Sequence, residues 1–103
     1  MKPRPDPSAI KIKQMRCQIL KHLNILYPSG IRLEWLHNTV ICFDETYDRT
    51  LFTKDISYLK GKGYLRFADE PLGDVEWWQK IVVLTEDGKD IADKTAVDET
   101  LEI

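Results

Sequence analysis

Residues that commonly build metal centres and disulfide scaffolds are scarce in this chain, which has two cysteines and two histidines. Two thiols in a domain without secretion signals are typically small buried apolar residues, and we expect this of Cys17 and Cys42. His22 and His37 each lie five residues from a cysteine, a step that turns about 140° beyond a full helical circle. Zinc pairs use shorter steps, so we expect no metal site. A site taking one ligand from each pair is the alternative.

Long apolar runs are also missing. None approaches the roughly 20 residues of a membrane-spanning helix, and the N-terminus lacks the apolar segment of a signal peptide. We therefore expect a cytoplasmic protein that does not insert into membranes.

Motifs of catalysis are absent as well, since the chain has neither a glycine-rich phosphate loop nor a nucleophile elbow. Asp44 and Glu45 have no histidine or second carboxylate cluster placed to work with them, and Glu86 and Asp87 have the character of helix-capping residues. We expect no enzyme and no cofactor. No sequence feature indicates a small-molecule effector.

Charge is distributed unevenly along a chain of 103 residues, a length that suits one domain with a modest core. Residues 1–64 carry 11 Lys/Arg and 6 Asp/Glu, a net charge of +5. Residues 65–103 carry 4 Lys/Arg and 11 Asp/Glu, a net charge of −7. Any surface that binds nucleic acid is therefore expected in the first two thirds of the chain.

Apolar periodicity predicts four helices and a β-hairpin. Ser8 is the expected N-cap of the first helix, and Asp44 or Thr46 that of the third. Alternating prolines in residues 1–7 predict a flexible arm, and residues 96–103 are expected to be a flexible tail. The predicted elements are a helix at 8–27, a short strand or extended entry at 31–33, a helix at 33–42, a third helix ending at 62, strands at 64–68 and 75–84, and a helix at 86–95.

Two junctions carry the clearest local signals. Gly63 is the expected left-handed residue after the third helix, and Tyr64 is expected to fold back on Leu59 in a Schellman closure. Thr85 is the expected N-cap of the last helix. Together these junctions predict a helix that turns directly into a strand, and a strand that runs directly into a helix.

This order of elements resembles the winged-helix superfamily. Ile56-x-x-Leu59-x-x-x-Gly63-Tyr64-Leu65 is similar to that superfamily's third helix and first wing strand, and Leu84-Thr85-x-x-Gly88 to the junction before its last helix. The resemblance covers roughly residues 10–95. It implies an α+β winged helix-turn-helix domain at 8–95, with a three-helix core, a two-stranded β wing and a C-terminal helix.

A narrower resemblance concerns the size of the chain, its opening Met15-Arg16-x-x-Ile19-Leu20 and its long segment between the second and third helices. These features are similar to small winged-helix proteins of Mu-like phages and prophages. That likeness implies a phage or prophage origin.

The superfamily resemblance implies a small transcriptional regulator that binds double-stranded DNA through its third helix in the major groove. Polar side chains on that helix would read base edges, and Lys or Arg would hold phosphates. Asp48 and Asp55 flank this face and are expected to reduce its positive field. An ordinary solvated helix face is the alternative. The candidate DNA-contacting residues are Arg49, Thr50, Thr53, Lys54, Ser57, Tyr58 and Arg32.

The wing indicates a different kind of partner. Its acids would repel phosphates, so DNA is expected to bind with the wing held away. Counting back by twos from Leu84 puts Val82 and Trp78 in the core and leaves an apolar row on the opposite face. That row is a candidate interface for a homodimer or for a protein-interaction module without DNA binding. A covering helix or arm, or a bulge that shifts the register, is the alternative. The acids are Asp69, Glu70, Asp74 and Glu76, and the row is Trp77, Ile81 and Val83.

Overall fold

The computed structural model describes residues 7–68 and 76–95, with side chains from residue 10 onward. Residues 1–6 of the expected arm, the tip of the wing at 69–75 and the tail at 96–103 lie outside the described residues. The predictions that the arm includes Pro7 and that Ser8 is the N-cap of the first helix are wrong, because that helix begins at Pro7. Within the described ranges the chain forms helices α1 (Pro7–Leu26), α2 (Leu33–Val40), α3 (Arg49–Gly61) and α4 (Glu86–Thr95), and strands β1 (Ile31–Arg32), β2 (Leu65–Phe67) and β3 (Ile81–Leu84). None of these helices is long and apolar enough to cross a membrane.

The three strands form one antiparallel sheet in the order β1-β3-β2. Ile31 pairs with Val82, and Leu65 pairs with Leu84. Val82 and Leu84 point into the hydrophobic core, as the alternation predicts for this part of the strand. The sheet therefore closes one side of the three-helix core.

The core is built mainly from one face of each of the first three helices. Apolar residues at three- and four-residue steps are buried in α2, in α3 and at the centre of α1, as the periodicity predicts. The apolar stripe predicted for α1 is wrong at its two ends, where Ile12 and Leu26 are exposed, because α1 has 20 residues and is longer than the elements that pack on it. The buried apolar residues of α1, α2 and α3 are Met15, Ile19, Leu20, Leu23, Leu33, Leu36, Val40, Phe52, Ile56 and Leu59.

The expectation that Cys42 is buried is wrong, because it is exposed in the 3-10 turn that follows α2. Trp35 on α2 is also exposed. That turn begins at Ile41, where the α-helical hydrogen bonding ends, so the face that α2 presents to the core stops at Val40.

The end of α3 has the predicted Schellman geometry. Gly63 has a φ of +82°, a conformation that glycine adopts without steric cost. The N–H of Tyr64 donates to the carbonyl of Leu59, and the N–H of Gly63 donates to that of Lys60, each at 3.0 Å. These are the two bonds of the motif, so the chain leaves α3 in a fixed direction toward β2.

Hydrogen bonds join the start of α4 to the segment that follows α3. The Thr85 hydroxyl accepts the N–H of Gly88 at 3.0 Å, which confirms the N-cap, and donates to the carbonyl of Gly63 at 2.6 Å. The N–H of Thr85 donates to the carbonyl of Tyr64 at 3.0 Å. A Cβ on Gly88 would overlap that same carbonyl oxygen. Glycine is therefore required at position 88 by close backbone approach.

Helix α3 begins later than predicted. Asp48 is its N-cap, with a carboxylate that accepts the N–H of Leu51 at 2.9 Å. The carboxylate of Asp44 instead accepts the N–H and the hydroxyl of Thr46, at 3.0 and 2.7 Å. Asp44 and Thr46 therefore close a local turn before the helix, and neither caps it.

The returning wing strand is shorter than predicted. β3 begins at Ile81, and the residues before it, Trp77–Gln79, form a 3-10 turn. The ring of Trp78 stacks on Phe52 with centroids 5.8 Å apart, and Trp77 packs edge-on against Trp78 at 4.7 Å. The two-residue alternation therefore does not extend back to the tryptophans, which are both half-buried.

Val83 is 5% exposed, so the prediction that it stands on an open outer face is wrong. β3 is the central strand, and the backbone at Gly30 lies against its outer face. A Cβ at Gly30 would sit 2.7 Å from Cγ2 of Val83 and 2.8 Å from Cγ2 of Ile81. Ile81 is half-buried.

The two glycines of the α3–α4 region are expected to respond to alanine in opposite directions. Gly88→Ala should lower the free energy of unfolding by about 1–3 kcal/mol, because the new methyl group meets a backbone oxygen that cannot move aside. Gly61→Ala should raise it by about 0.5–1 kcal/mol, because position 61 is helical with no atom within 4 Å. Urea denaturation measures both. A Gly88→Ala protein as stable as the parent would contradict the packing described for this junction.

Candidate nucleic-acid interface

The outer face of α3 carries the residues predicted to contact DNA. Arg49, Thr50, Lys54 and Ser57 are exposed and Thr53 is half-buried. At about 100° per residue these five positions cover roughly 140° of the helix. The buried residues of α3 lie on the opposite side.

The side chains of this face differ in how firmly they are held. The guanidinium of Arg49 lies 4.5 Å from the ring centroid of Trp78, so a cation–π contact orients it at the start of the helix. The hydroxyl of Thr53 donates to the carbonyl of Arg49 at 2.7 Å. Within residues 7–68 and 76–95, Thr50, Lys54 and Ser57 make no side-chain hydrogen bond or ion pair, which leaves their polar atoms available to a ligand.

Asp48 and Asp55, the two acids expected to reduce the positive field of this face, are both engaged in hydrogen bonds. Asp48 is engaged as the N-cap of α3. Asp55 is 4% exposed and points into the protein. The expectation that these two carboxylates reduce the positive field of the face is wrong for Asp55, because its charge is paired on the inner side.

Asp55 is the centre of a buried polar network that joins α3 to the rest of the fold. Its Oδ1 accepts a hydrogen bond from Nε–H of Arg16 on α1 at 2.9 Å, and its Oδ2 accepts one from the hydroxyl of Tyr47 at 2.5 Å. Nε2 of His37 on α2 lies 2.8 Å from the carbonyl oxygen of Tyr47. A carbonyl oxygen only accepts, so His37 carries its proton on Nε2. Side chains of all three core helices therefore converge on this network.

Tyr58 lies at the edge of the α3 face rather than on it. Its side chain is half-buried, and the guanidinium of Arg16 lies 3.6 Å from its ring centroid. Nζ of Lys62 is 5.6 Å from the same centroid. Arg16 thus contacts both Asp55 and Tyr58, which ties the edge of the candidate surface to the buried network.

Lys60 is a candidate that the sequence analysis missed. It is exposed and lies seven residues after Thr53, a spacing that returns to the same side of a helix. Its Nζ is 5.0 Å from the ring centroid of Phe67 on β2, and Nζ of Lys80 is 5.6 Å from the same ring. Extending the three- and four-residue spacing one step beyond Ser57 would have found it.

Arg32 occupies the position immediately before α2, as predicted. Its guanidinium lies 5.1 Å from the ring centroid of the exposed Trp35. The first amide of α2, the N–H of Leu33, donates to the carbonyl of Lys80 at 3.0 Å. The observed interactions of Arg32 are therefore with α2 and, by strand pairing with Ile81, with the sheet.

The cysteines and histidines are dispersed. No group of three or more metal-binding side chains occurs in the part of the chain that the structure describes. Burial raises the pKa of the Cys17 thiol, and burial together with the nearby Lys21 lowers the pKa of His22. These shifts favour the neutral forms of both side chains.

Comparison of the chain with models of known protein families and with curated proteins finds no match. Among solved structures it is similar to the crystal structure of SSV1 F-93, with a TM-score of 0.59. The fold is that of a winged helix. The two sequences are 22% identical, and the similarity covers 81% of this chain and 84% of the other. The narrower likeness to proteins of Mu-like phages receives no support from this comparison and stays a prediction.

The Tyr47–Asp55 hydrogen bond predicts an alkaline pH dependence of stability. Burial and this bond raise the pKa of Tyr47 above its usual range. The folded state therefore keeps the proton above about pH 10, where an unfolded tyrosine loses it, and stability falls as the pH rises through that region. Tyr47→Phe should lower the free energy of unfolding by about 1–3 kcal/mol at neutral pH.

Urea denaturation from about pH 9 to pH 11 provides the test. The Tyr47→Phe protein should lose less stability over this range than the parent. Tyr64→Phe is the control, since the hydroxyl of Tyr64 makes no hydrogen bond to another described residue. Equal alkaline losses in the parent and in Tyr47→Phe would exclude the proposed role of this bond.

Proposed function

We propose that this protein binds double-stranded DNA as a small transcriptional regulator, with the outer face of α3 in the major groove. The observation that carries the proposal is the division of α3 into two sides. Its single carboxylate, Asp55, is buried and paired, whereas its three cations, Arg49, Lys54 and Lys60, all point outward. The helix therefore presents a cationic and hydroxyl-bearing surface without an exposed acid.

The residue types on this face suit the two kinds of contact that DNA recognition needs. Arg49 is held above Trp78, and an oriented guanidinium suits bidentate hydrogen bonds to guanine. Thr50 and Ser57 offer hydroxyl groups that both donate and accept. Lys54 and Lys60 suit phosphate oxygens as point charges. Regulation would follow from occupancy of a DNA site.

Arg32 is proposed as a backbone contact beside this helix. It precedes α2, and helix N-termini favour phosphate through their positive dipole, although the first amide of α2 is bonded to Lys80. We assign no contact to the wing, where Glu76 is exposed and the other three predicted acids lie at residues 69–74. Similarity to SSV1 F-93 supports the fold. Because a fold does not determine function, the proposed function rests on the residues of α3 and on Arg32.

The alternative function, a protein-interaction module on the wing strand, ranks second. Of its three proposed residues, Val83 is buried and Trp77 and Ile81 are half-buried. A homodimer interface built from this row would therefore offer less apolar surface than the sequence pattern indicates. On the α3 surface Thr53 and Tyr58 are half-buried, but Arg49, Thr50, Lys54 and Ser57 are exposed.

Substitution of the outward cations should weaken DNA binding. Lys54→Ala and Arg49→Ala should each lower affinity for a mixed-sequence duplex, because each loses a cation that meets the DNA. Each lost phosphate contact should also reduce the slope of log affinity against log salt by about 1. Fluorescence anisotropy over a series of salt concentrations measures both quantities.

Lys94→Ala is the matched control, because it removes one exposed cation from α4 instead of α3. It should leave both affinity and salt slope close to those of the parent. A parent protein that does not bind mixed duplex at low salt, or that is weakened as much by Lys94→Ala as by Lys54→Ala, would contradict the proposal.

A further inference from the structure

A cleft of about 340 Å³ lies between α1 and α3, beside the candidate DNA surface. Its walls carry three apolar side chains, and two of them are well exposed, Ile12 at 40% and Leu51 at 39%. Arg16, Tyr47 and Asp55, the members of the buried network, also line it. We call it the α1–α3 cleft. Its apolar residues are Ile12, Met15 and Leu51, and its cations are Lys11, Arg16 and Lys54.

The charge of this cleft is positive, with three cations against the single carboxylate of Asp55, which is already paired with Arg16 and Tyr47. Nζ of Lys11 lies 2.7 Å from Asp44 and 2.6 Å from the hydroxyl of Thr46. Lys11 is therefore paired with Asp44, and Arg16 with Asp55. The lining offers apolar walls and, at the rim, the positive charge of Lys54.

Lys54 is the cation best placed to receive a ligand. It is exposed, and within residues 7–68 and 76–95 it makes no ion pair or side-chain hydrogen bond. It belongs to α3, as does Leu51, so the same helix supplies an apolar wall and a charged rim. Small-molecule sites typically combine apolar walls with a few polar groups that fix orientation, in volumes of about 300–1,000 Å³.

We propose that the α1–α3 cleft binds an amphipathic organic anion, a carboxylate or sulfonate with an aromatic or aliphatic body. The body covers Ile12 and Leu51, and the anionic group pairs with Lys54. This inference rests on the proposed function in one respect, since Lys54 also belongs to the DNA surface. An occupied cleft holds Lys54 away from phosphate, so the anion lowers affinity for DNA.

Binding is tested first on the full chain without DNA. The probe is 1-anilinonaphthalene-8-sulfonate, a fluorescent amphipathic sulfonate, and octanoate is the competitor. We expect saturable binding that octanoate displaces. Leu51→Glu should weaken it by about tenfold, because it replaces an apolar wall with a charge that repels the anion. Lys54→Ala should weaken it as well.

The matched control is Ile25→Glu, which places the same charge on an even more exposed residue, 71% exposed, near the other end of α1. It should leave binding unchanged. Circular dichroism verifies that all variants are folded, and Lys54→Ala keeps the test decisive should Leu51→Glu be unfolded. The absence of saturable binding, or binding that survives both cleft substitutions in folded protein, overturns the site.

The effect on DNA is tested separately. Octanoate should weaken duplex binding by the parent and have little effect on Leu51→Glu. An anion that binds the cleft without changing DNA affinity overturns the coupling. Saturable probe binding by a protein that binds no duplex would support the site and contradict the proposed function. Duplex binding by a protein that does not bind the probe would support the proposed function and contradict the anion site.

Discussion

The placement of a carboxylate on the inner side of α3 is the constraint on which the rest of this structure depends. A buried charge costs several kcal/mol unless it is paired and hydrogen-bonded. Asp55 obtains both partners from other parts of the chain, Arg16 on α1 and Tyr47 in the segment before α3. Any rotation of α3 about its axis would break these bonds. The network therefore acts together with the buried apolar residues of α3 to fix which side of the helix faces the solvent.

Two properties of the surface follow from this arrangement. Because the one acid within α3 is turned inward and neutralised, its cations stand on the outer face without an opposing exposed carboxylate. Because Arg16 reaches Asp55 and the ring of Tyr58 together, α1 and α3 are held at a separation that leaves a cleft between them. The proposed DNA surface and the proposed anion site share Lys54, so a ligand at one affects the other.

Local rules predicted the junctions of this fold, and non-local contacts decided what they missed. Gly63 and Thr85 were predictable because each forms bonds that depend on neighbouring backbone. Asp55 lies three residues after Phe52, on the buried side of the periodic pattern, but its partner Arg16 is 39 residues away. Val83 was misplaced because the backbone at Gly30 lies against it. Trp77 was misplaced because the strand alternation does not extend through the 3-10 turn. The exposed face of α3 could be predicted from helical periodicity alone. The α1–α3 cleft could not be predicted from the sequence, because it depends on how α1 and α3 pack in three dimensions.

The central claim is that α3, held from behind by Asp55, presents its outer face to DNA. The most direct measurement is an NMR titration of isotope-labelled protein with a mixed-sequence duplex at low salt. We predict that the largest amide shifts occur at Arg49, Thr50, Lys54, Ser57 and Lys60. Small shifts are expected along α4. Shifts confined to the wing strand around Ile81, or no shifts at any duplex concentration, would contradict this account.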